Sequence, residues 1–220
     1  MSQHVQNLIK QGEHQRLDFK YAITDSRKIA RTLSAFSNTD GGKLLIGVKD
    51  NGNITGVESD EEYYMVEAAA QLYCKPEVRF TTRRWEINEK AVLEITVPPM
   101  EKKPCYAMDE NKRWFAYVRV KDENLLANGV MLLVWQKEKR KKGIHIRYTT
   151  AEKTLLLHLK KNGCVTFGQF YRMATIARRE AENILANFII LGIIEMQQNA
   201  RQTLYMLKKM PEAEHNDLHN

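Results

Sequence analysis

The chain has 220 residues, with 34 Lys and Arg against 27 Asp and Glu, a net charge of +7. Apolar residues make up 43%, enough for ordinary globular cores, while the longest apolar run, residues 130–135, is far too short to span a membrane. Cysteines 74, 105 and 164 are widely spaced, which excludes a disulfide framework or a zinc knuckle and is the pattern of reduced thiols in a cytoplasmic protein.

Residues 1–10 are polar and lack the apolar centre of a signal peptide. Residues 25–38 read as a helix, because Ile29, Leu33 and Phe36 recur at i, i+4 and i+7, and Asp25 or Ser26 can cap its start. Gly41-Gly42 ends that segment. Residues 43–48 then read as a buried strand, with Leu44, Leu45, Ile46 and Val48 close together. Asp50-Asn51-Gly52-Asn53 is a hairpin-type turn, and residues 54–57 return from it. Residues 60–74 read as a helix with Tyr64, Ala68 and Leu72 at a spacing of four. A second hairpin joins 78–87 to 91–97 around Asn88-Glu89, and Pro98-Pro99 stops it. Residues 114–120 are a strand, and 125–142 a helix with its apolar residues first and its charges last. The lysine-rich run 137–143 ends in a glycine and marks a boundary; lysines at a helix C-terminus also suit the helix dipole.

Beyond it the pattern changes. Residues 152–161 form an amphipathic helix with Leu155, Leu156 and Leu159 inward. Thr166-Phe167-Gly168-Gln169 fits a capping box for a short helix through Phe170, Tyr171 and Met173. Residues 177–191 form a third helix with Ala181, Ile184, Leu185 and Phe188 inward, stopped by Gly192. Residues 193–197 and 202–207 alternate about a turn at 198–201, as a hairpin does. This order resembles winged-helix domains, a branch of the helix-turn-helix group. There the third helix enters the major groove, and its early exposed positions face the bases; here these are Arg178, Arg179, Glu182 and Asn183. Arginine pairs with guanine and asparagine with adenine, and Arg201 sits where a wing meets phosphate or the minor groove. Charge agrees with this placement. Residues 1–135 hold 19 basic and 19 acidic side chains, whereas 136–210 hold 15 basic and 5 acidic, a concentration that attracts polyanions.

The first half carries a longer signature. Glu13-His14-Gln15-Arg16-Leu17-Asp18-Phe19-Lys20 is followed by Ala35-Phe36-Ser37-Asn38-Thr39-Asp40-Gly41-Gly42, by Leu45-Ile46-Gly47-Val48-Lys49-Asp50-Asn51-Gly52, and by Gly56-Val57. Lys103-Pro104 and Tyr117-Val118-Arg119 add to it. Residues 1 to about 130 thereby resemble the Schlafen-type Alba-like domain. Bacterial members of that family often carry a C-terminal winged helix and are described as DNA-binding transcriptional regulators, sometimes as ATP-binding proteins. No G-x4-G-K-[ST] phosphate cradle occurs in the sequence, so nothing in it supports the ATP label. In animal Schlafen proteins the domain is linked to RNA cleavage through three carboxylates, which the resemblance maps onto Glu13, Asp18 and Asp50. Three carboxylates suit Mg²⁺ or Mn²⁺, which would activate water against a phosphodiester. Asp18 departs from the usual Glu, and one such domain would need a partner copy to form the animal clamp. Each carboxylate also has a plain structural use: Asp50 as a turn cap, Glu13 and Asp18 as partners of Arg16, Lys20 or Arg119.

The sequence therefore predicts an α+β protein: an Alba-like mixed α/β domain over 1–136, a basic linker over 137–149, a winged helix-turn-helix domain over 150–209 and a disordered tail over 210–220. The leading function is a cytoplasmic, homodimeric, DNA-binding transcriptional regulator without a cofactor, with DNA placed ahead of RNA as partner. Lys20, Arg27, Lys28, Arg31 and Arg119 are the basic candidates of the first domain. The alternatives are the Mg²⁺- or Mn²⁺-dependent endonuclease, with Glu13, Asp18 and Asp50 as catalytic and metal-binding residues, and a protein–protein adaptor. The six histidines show no zinc-site spacing, no G-x-S-x-G occurs, and Trp85, Trp114, Phe115 and Tyr117 read as strand residues that pack a core.

Overall fold

The computed structural model describes residues 2–57, 59–140, 143 and 148–209. The expected tail 210–220 and residues 141, 142 and 144–147 of the expected linker lie outside the described residues. The chain is α+β and divides into two compact units, Met1–Asn128 and Gly129–Asn220.

The first unit is built on two four-stranded sheets. One has the order β1(Leu17–Lys20), β2(Gly42–Ile46), β5(Lys90–Val97), β4(Thr81–Ile87). The other has the order β3(Cys74–Lys75), β6(Tyr106–Met108), β7(Trp114–Val120), β8(Glu123–Leu126). Strands β1 and β2 run parallel, with Asp18 opposite Leu44, and helix α2(Ser26–Asn38) makes the crossover between them. Asp25 caps α2 by accepting from the Arg27 N–H at 2.8 Å, one of the donors a helix start leaves free. Alternate residues of β2 and β5 point to opposite faces. Leu44, Ile46, Leu93 and Ile95 join a core with α2 and α3(Glu61–Leu72). Leu45 and Val92 join Leu17, Phe19 and Val48 in a second core on the other face, closed by Val5, Leu8 and Ile9 of α1(Ser2–Gln11). Burial on both faces explains why β2 is apolar in succession rather than in alternation.

Buried polar groups tie α2 to the second sheet. Asn38 is fully enclosed. Its Nδ2 donates to the Cys105 and Tyr117 carbonyls, both at 2.8 Å, and its Oδ1 accepts from the Cys105 N–H at 2.7 Å. Ser34 Oγ donates to the Cys105 carbonyl at 2.9 Å and accepts from the Tyr117 N–H at 3.2 Å. Two glycines let the chain turn from α2 into β2. A Cβ on Gly41, whose φ is +70°, would come within 2.6 Å of the Val97 carbonyl, and one on Gly42 within 2.5 Å of the Phe36 ring.

The second unit holds α4(Gly129–Lys139), α5(Thr150–Asn162), β9(Cys164–Thr166), α6(Phe167–Met173), α7(Arg178–Ile190), β10(Ile194–Gln198) and β11(Thr203–Leu207). Its three strands form one antiparallel sheet in the order β10-β11-β9. Both α5 and α6 start with complete capping boxes, Thr149 with Glu152 and Thr166 with Gln169. Leu155, Leu159, Val165, Phe170, Ala181, Leu185, Phe188 and Tyr205 make the core.

Several elements differ from the sequence expectations. Leu125 and Leu126 pair with Val118 and Tyr117 in β8, so the helix expected from 125 starts at Gly129. Its apolar part, up to residue 136, was expected inside the first domain. Its Val130 and Val134 instead enter the core of the second unit, because apolar residues four apart share one helix face. On α3 the buried face is Val66, Ala69 and Ala70, while Tyr64 and Leu72 are exposed. Residues 54–57 make only isolated bridges, Val48 to Ile54 and Val57 to Ala91. Helix α1 and strands β1, β3, β6 and β9 carry too short or too polar a pattern to be read from periodicity.

The Asn38 network makes a quantitative expectation. Asn38→Ala leaves the Cys105 N–H and the Tyr117 carbonyl without this partner, each worth ~1–3 kcal/mol, and the Cys105 carbonyl with the Ser34 hydroxyl alone. Urea denaturation of the variant is expected to show a loss of about 3 kcal/mol or more. A loss below ~1 kcal/mol would mean that α2 does not hold the second sheet through this residue.

Candidate functional site

Two clusters gather the residues singled out from the sequence. In the first unit, residues 13–20, which end in β1, bring Glu13, Asp18 and Lys20 together with Arg119 of β7. The Arg119 side chain is 1% exposed. Its Nη2 donates to Asp18 Oδ1 at 3.2 Å and to the Leu17 carbonyl at 3.1 Å, and its Nη1 to Asn124 Oδ1 at 3.1 Å. The guanidinium also lies 5.4 Å from the centre of the Phe36 ring. Arg119 was expected as a contact to nucleic acid. It is an internal cross-link between the two sheets, and its charge is matched inside the fold.

Lys20 Nζ lies 3.1 Å from Asp18 Oδ2 and 4.0 Å from Glu13 Oε1, and donates to the Phe19 carbonyl at 2.6 Å. The interaction with Asp18 is Coulombic, since Oδ2 has no aligned hydrogen bond. Burial opposes ionisation of Asp18, but the facing Glu13 carboxyl, Lys20 and Arg119 outweigh it and hold Asp18 below the usual carboxylate range. Glu13 takes the opposite course. Burial first, then the adjacent Asp18, push its pKa up to about 7, although Oε1 accepts from the Phe19 N–H at 2.8 Å. The pair thus shares one proton near neutrality.

The third carboxylate of the expected trio, Asp50, is exposed in its turn. Among the described residues no three His, Cys, Asp or Glu side chains converge as a metal-binding group. Asp18 is already matched by two cations, so a divalent ion would compete with Lys20 and Arg119 for its oxygens. The residues present do not fit the two-metal or one-metal arrangement that the resemblance implied.

In the second unit, Arg178 and Arg179 stand exposed on the first turn of α7. The Arg178 guanidinium rests 5.5 Å from the Phe167 ring centre and 6.0 Å from that of Tyr171, two rings of α6 whose centres lie 5.6 Å apart. Neither arginine has an ion-pair partner among the described residues. Asn183 is half-buried, and its Nδ2 donates to the Arg179 carbonyl at 2.8 Å. Glu182 is also half-buried, and after burial its charge is the further cause that raises the Tyr205 pKa. Arg201 is exposed in the β10–β11 turn, which Asn199 Oδ1 shapes by accepting from the N–H groups of Arg201 and Gln202 at 2.9 Å each. Reading the sequence missed the aromatic shelf under Arg178. The i, i+4 spacing of Phe167 and Tyr171 was its only signal, and apolar residues at that spacing read first as core.

Comparison with known proteins gives a family and distant structural neighbours. The model of the family described as Schlafen, AlbA_2 matches residues 13–128. A crystal structure of the DIP2311 protein of Corynebacterium diphtheriae is 19% identical with a TM-score of 0.43, covering 78% of this chain and 32% of that one. The solution structure of the N-terminal domain of a RecG-related ATP-dependent DNA helicase-like protein of Nitrosomonas europaea is 16% identical with a TM-score of 0.38, covering 66% of this chain and 95% of that one. The chain spans about a third of the length of the first of these. No curated protein matches the chain.

Two measurements test the first cluster. Asp18→Asn leaves Arg119 buried without its anion, and breaking a buried pair from one side costs ~3–5 kcal/mol; chemical denaturation should show a loss of that size. An unchanged stability would remove Asp18 from the cross-link. The second concerns pH. An acid whose pKa is higher in the fold keeps its proton there after the unfolded chain has lost it, so this contribution falls as pH rises from 4.5 to about 7. Glu13→Gln abolishes that loss. Its melting temperature relative to the unsubstituted chain should rise across this window, and a flat difference contradicts the shared proton.

Proposed function

The chain belongs to the Schlafen, AlbA_2 family, and from that premise we propose that it is a cytoplasmic DNA-binding transcriptional regulator whose C-terminal unit is a winged helix that reads duplex DNA through α7. The order α5, β9, α6, α7, β10, β11 with one three-stranded sheet supports the winged-helix reading, since that fold presents its third helix to the major groove. The observation that carries the functional reading is the pair Arg178 and Arg179. They are exposed at the start of α7, free of carboxylate partners among the described residues, and Arg178 is braced on two rings. A braced guanidinium loses less freedom on binding and keeps its planar fork for a guanine edge or a phosphate.

Arg201 in the hairpin turn is the wing contact of this reading, and Asn183 a second base-facing candidate once it leaves the Arg179 carbonyl. The 15 basic against 5 acidic residues of 136–210 supply the sequence-independent attraction. Duplex DNA is favoured over RNA because a protruding helix fits the wide major groove of B-form DNA, whereas the deep, narrow groove of A-form RNA excludes it. The regulator is proposed to act as a homodimer, which would place its half-sites a helical turn, or a multiple of it, apart.

The Arg178→Ala, Arg179→Ala double variant tests this reading. Each good base contact is worth roughly 1–3 kcal/mol of discrimination. Gel-shift titrations on duplexes selected by the unsubstituted chain should therefore show weakened binding and relaxed sequence preference. Duplex affinity and preference that survive the double replacement overturn the assignment of α7.

A further inference from the structure

The sheet that holds β1 and β2 ends on an open edge. Its order puts β4(Thr81–Ile87) outermost, seven residues long and paired with β5 on one side. Among the described residues no backbone bridge reaches its other side. The opposite edge, β1, has four residues, and so has β8 at an edge of the second sheet. Strand β4 contains neither proline nor glycine. A row of unpaired N–H and C=O groups of this length is a template for another strand.

The hairpin turn decides which of these groups are free. Asn88 and Glu89 both have positive φ, 48° and 63°, as a two-residue turn of the primed type requires. Such a turn closes on a hydrogen-bonded pair, here Ile87 and Lys90, and bonded and non-bonded pairs alternate along an antiparallel ladder. Thr81, Arg83, Trp85 and Ile87 therefore bond to β5, while the backbone groups of Thr82, Arg84 and Glu86 point to the free edge. An added antiparallel strand must bond to those three. If that strand is a second copy of β4, its bonding residues are the same three, so the twofold axis passes through a residue rather than between two. An axis at 83 sets Arg83 against Arg83, one at 84 sets Arg84 against Arg84, and one at 86 sets Glu86 against Glu86. Like charges directly opposite are unfavourable. The axis at Trp85 instead sets Arg84 against Glu86 of the second copy, twice over.

We propose that β4 pairs with β4 of a second copy of this chain, antiparallel and centred on Trp85, so that two four-stranded sheets become one sheet of eight strands. An edge guarded against pairing carries charge of one sign or a proline. Strand β4 carries opposite charges two residues apart, the spacing that a twofold axis on Trp85 brings face to face. Arg84 and Glu86 are 47% and 66% exposed; Arg84 lies 3.2 Å from Glu86 of its own strand and 3.3 Å from Asp60. Exposed contacts of this kind are worth little and leave both side chains open to a partner. Trp85 is half-buried and fixed: Nε1 donates to Glu94 Oε2 at 2.7 Å, and the His4 ring and the Arg83 guanidinium lie 5.0 Å and 5.2 Å from it. At the axis the two Trp85 residues form a non-hydrogen-bonded pair, where cross-strand side chains approach most closely and aromatic pairs stabilise a sheet. The proposal supplies an interface for the homodimer proposed above. It rests on that part of the reading and not on DNA binding.

The test is sedimentation of the full chain over a range of concentrations. The unsubstituted chain is expected at twice its 25.6 kDa mass. Arg84→Glu and Glu86→Arg each set like charges opposite in both facing pairs, and each is expected to raise the dimer dissociation constant about tenfold or more. Mixing the two single variants should restore the dimer, because every glutamate then faces an arginine. The Arg84→Glu, Glu86→Arg double variant should restore it as well. An unsubstituted chain that sediments as a monomer overturns both this proposal and the homodimer. A dimer untouched by either reversal overturns β4 as the interface and leaves the homodimer standing. Weakened single variants that neither the mixture nor the double exchange restores overturn the pairing centred on Trp85. The Arg178→Ala, Arg179→Ala variant should sediment as the unsubstituted chain does, so a failure of duplex reading and a failure of this interface are told apart.

Discussion

The first unit depends on one buried ion pair. Arg119 of β7 reaches Asp18 of β1 at 3.2 Å with both side chains almost wholly removed from water, and so joins the two sheets by charge. Removing two charges from water costs several kcal/mol per ion unless every remaining donor is used. Here Leu17, Asn124 and the Phe36 ring take up the rest of the guanidinium. Gln15 closes the arrangement from outside, donating to the Arg119 carbonyl and accepting from the Lys121 N–H, both at 2.8 Å. Segment 13–20 is thereby fixed along its length. The state of Glu13 follows from burial first and then from the same pair: desolvation raises its pKa, and a second negative charge beside the ionised Asp18 raises it further, to about 7.

This constraint changes how the family signature is to be understood. Most of its residues serve the fold. Phe19 and Phe36 are core, Asn38 binds two strands of the second sheet, and Gly41 and Gly42 occupy places where a side chain would strike Val97 or Phe36. Gly47 is of the same kind, with φ at +93° and a would-be Cβ 2.9 Å from Gly56. Such a string identifies the fold with high specificity because each position is fixed by sterics or by a buried hydrogen bond. For the same reason it says little about chemistry. Reading Glu13, Asp18 and Asp50 as a catalytic set treats as one group what the fold separates into a buried, cation-matched pair and an exposed turn residue.

The legibility of the sequence divides along physical lines. Helices α2, α5 and α7 are readable because their signals are local: a cap, an apolar recurrence, a terminating glycine. Arg178, Arg179 and Arg201 fall on exposed turns, as expected, for the same reason. Strand β9 and the two-residue β3 escape because three residues or fewer carry no period. Arg119 is misjudged because nothing local distinguishes an arginine that leaves the surface from one that stays on it. Its burial is decided by Asp18, a hundred residues away in the chain. The outward turn of Tyr64 and Leu72 on α3 has a similar origin, since Val66, Ala69 and Ala70 give a smaller face on which α2 can approach.

Arginine shows most clearly what separates structure from recognition in this protein. What matters is not the exposure of the side chain alone but how many acceptors the fold itself supplies. Arg119 has a carboxylate, a backbone carbonyl and an amide oxygen, and nothing remains for a ligand. Arg113 is exposed yet satisfied by Asp109. Arg178, Arg27 and Arg31 receive an aromatic ring and no hydrogen-bond acceptor among the described residues. A ring orients the guanidinium and offsets part of its desolvation, at ~0.5–2 kcal/mol, without occupying its donors. An aromatic support therefore leaves a cation ordered while its donors stay open, and that combination favours a phosphate or a base edge over water.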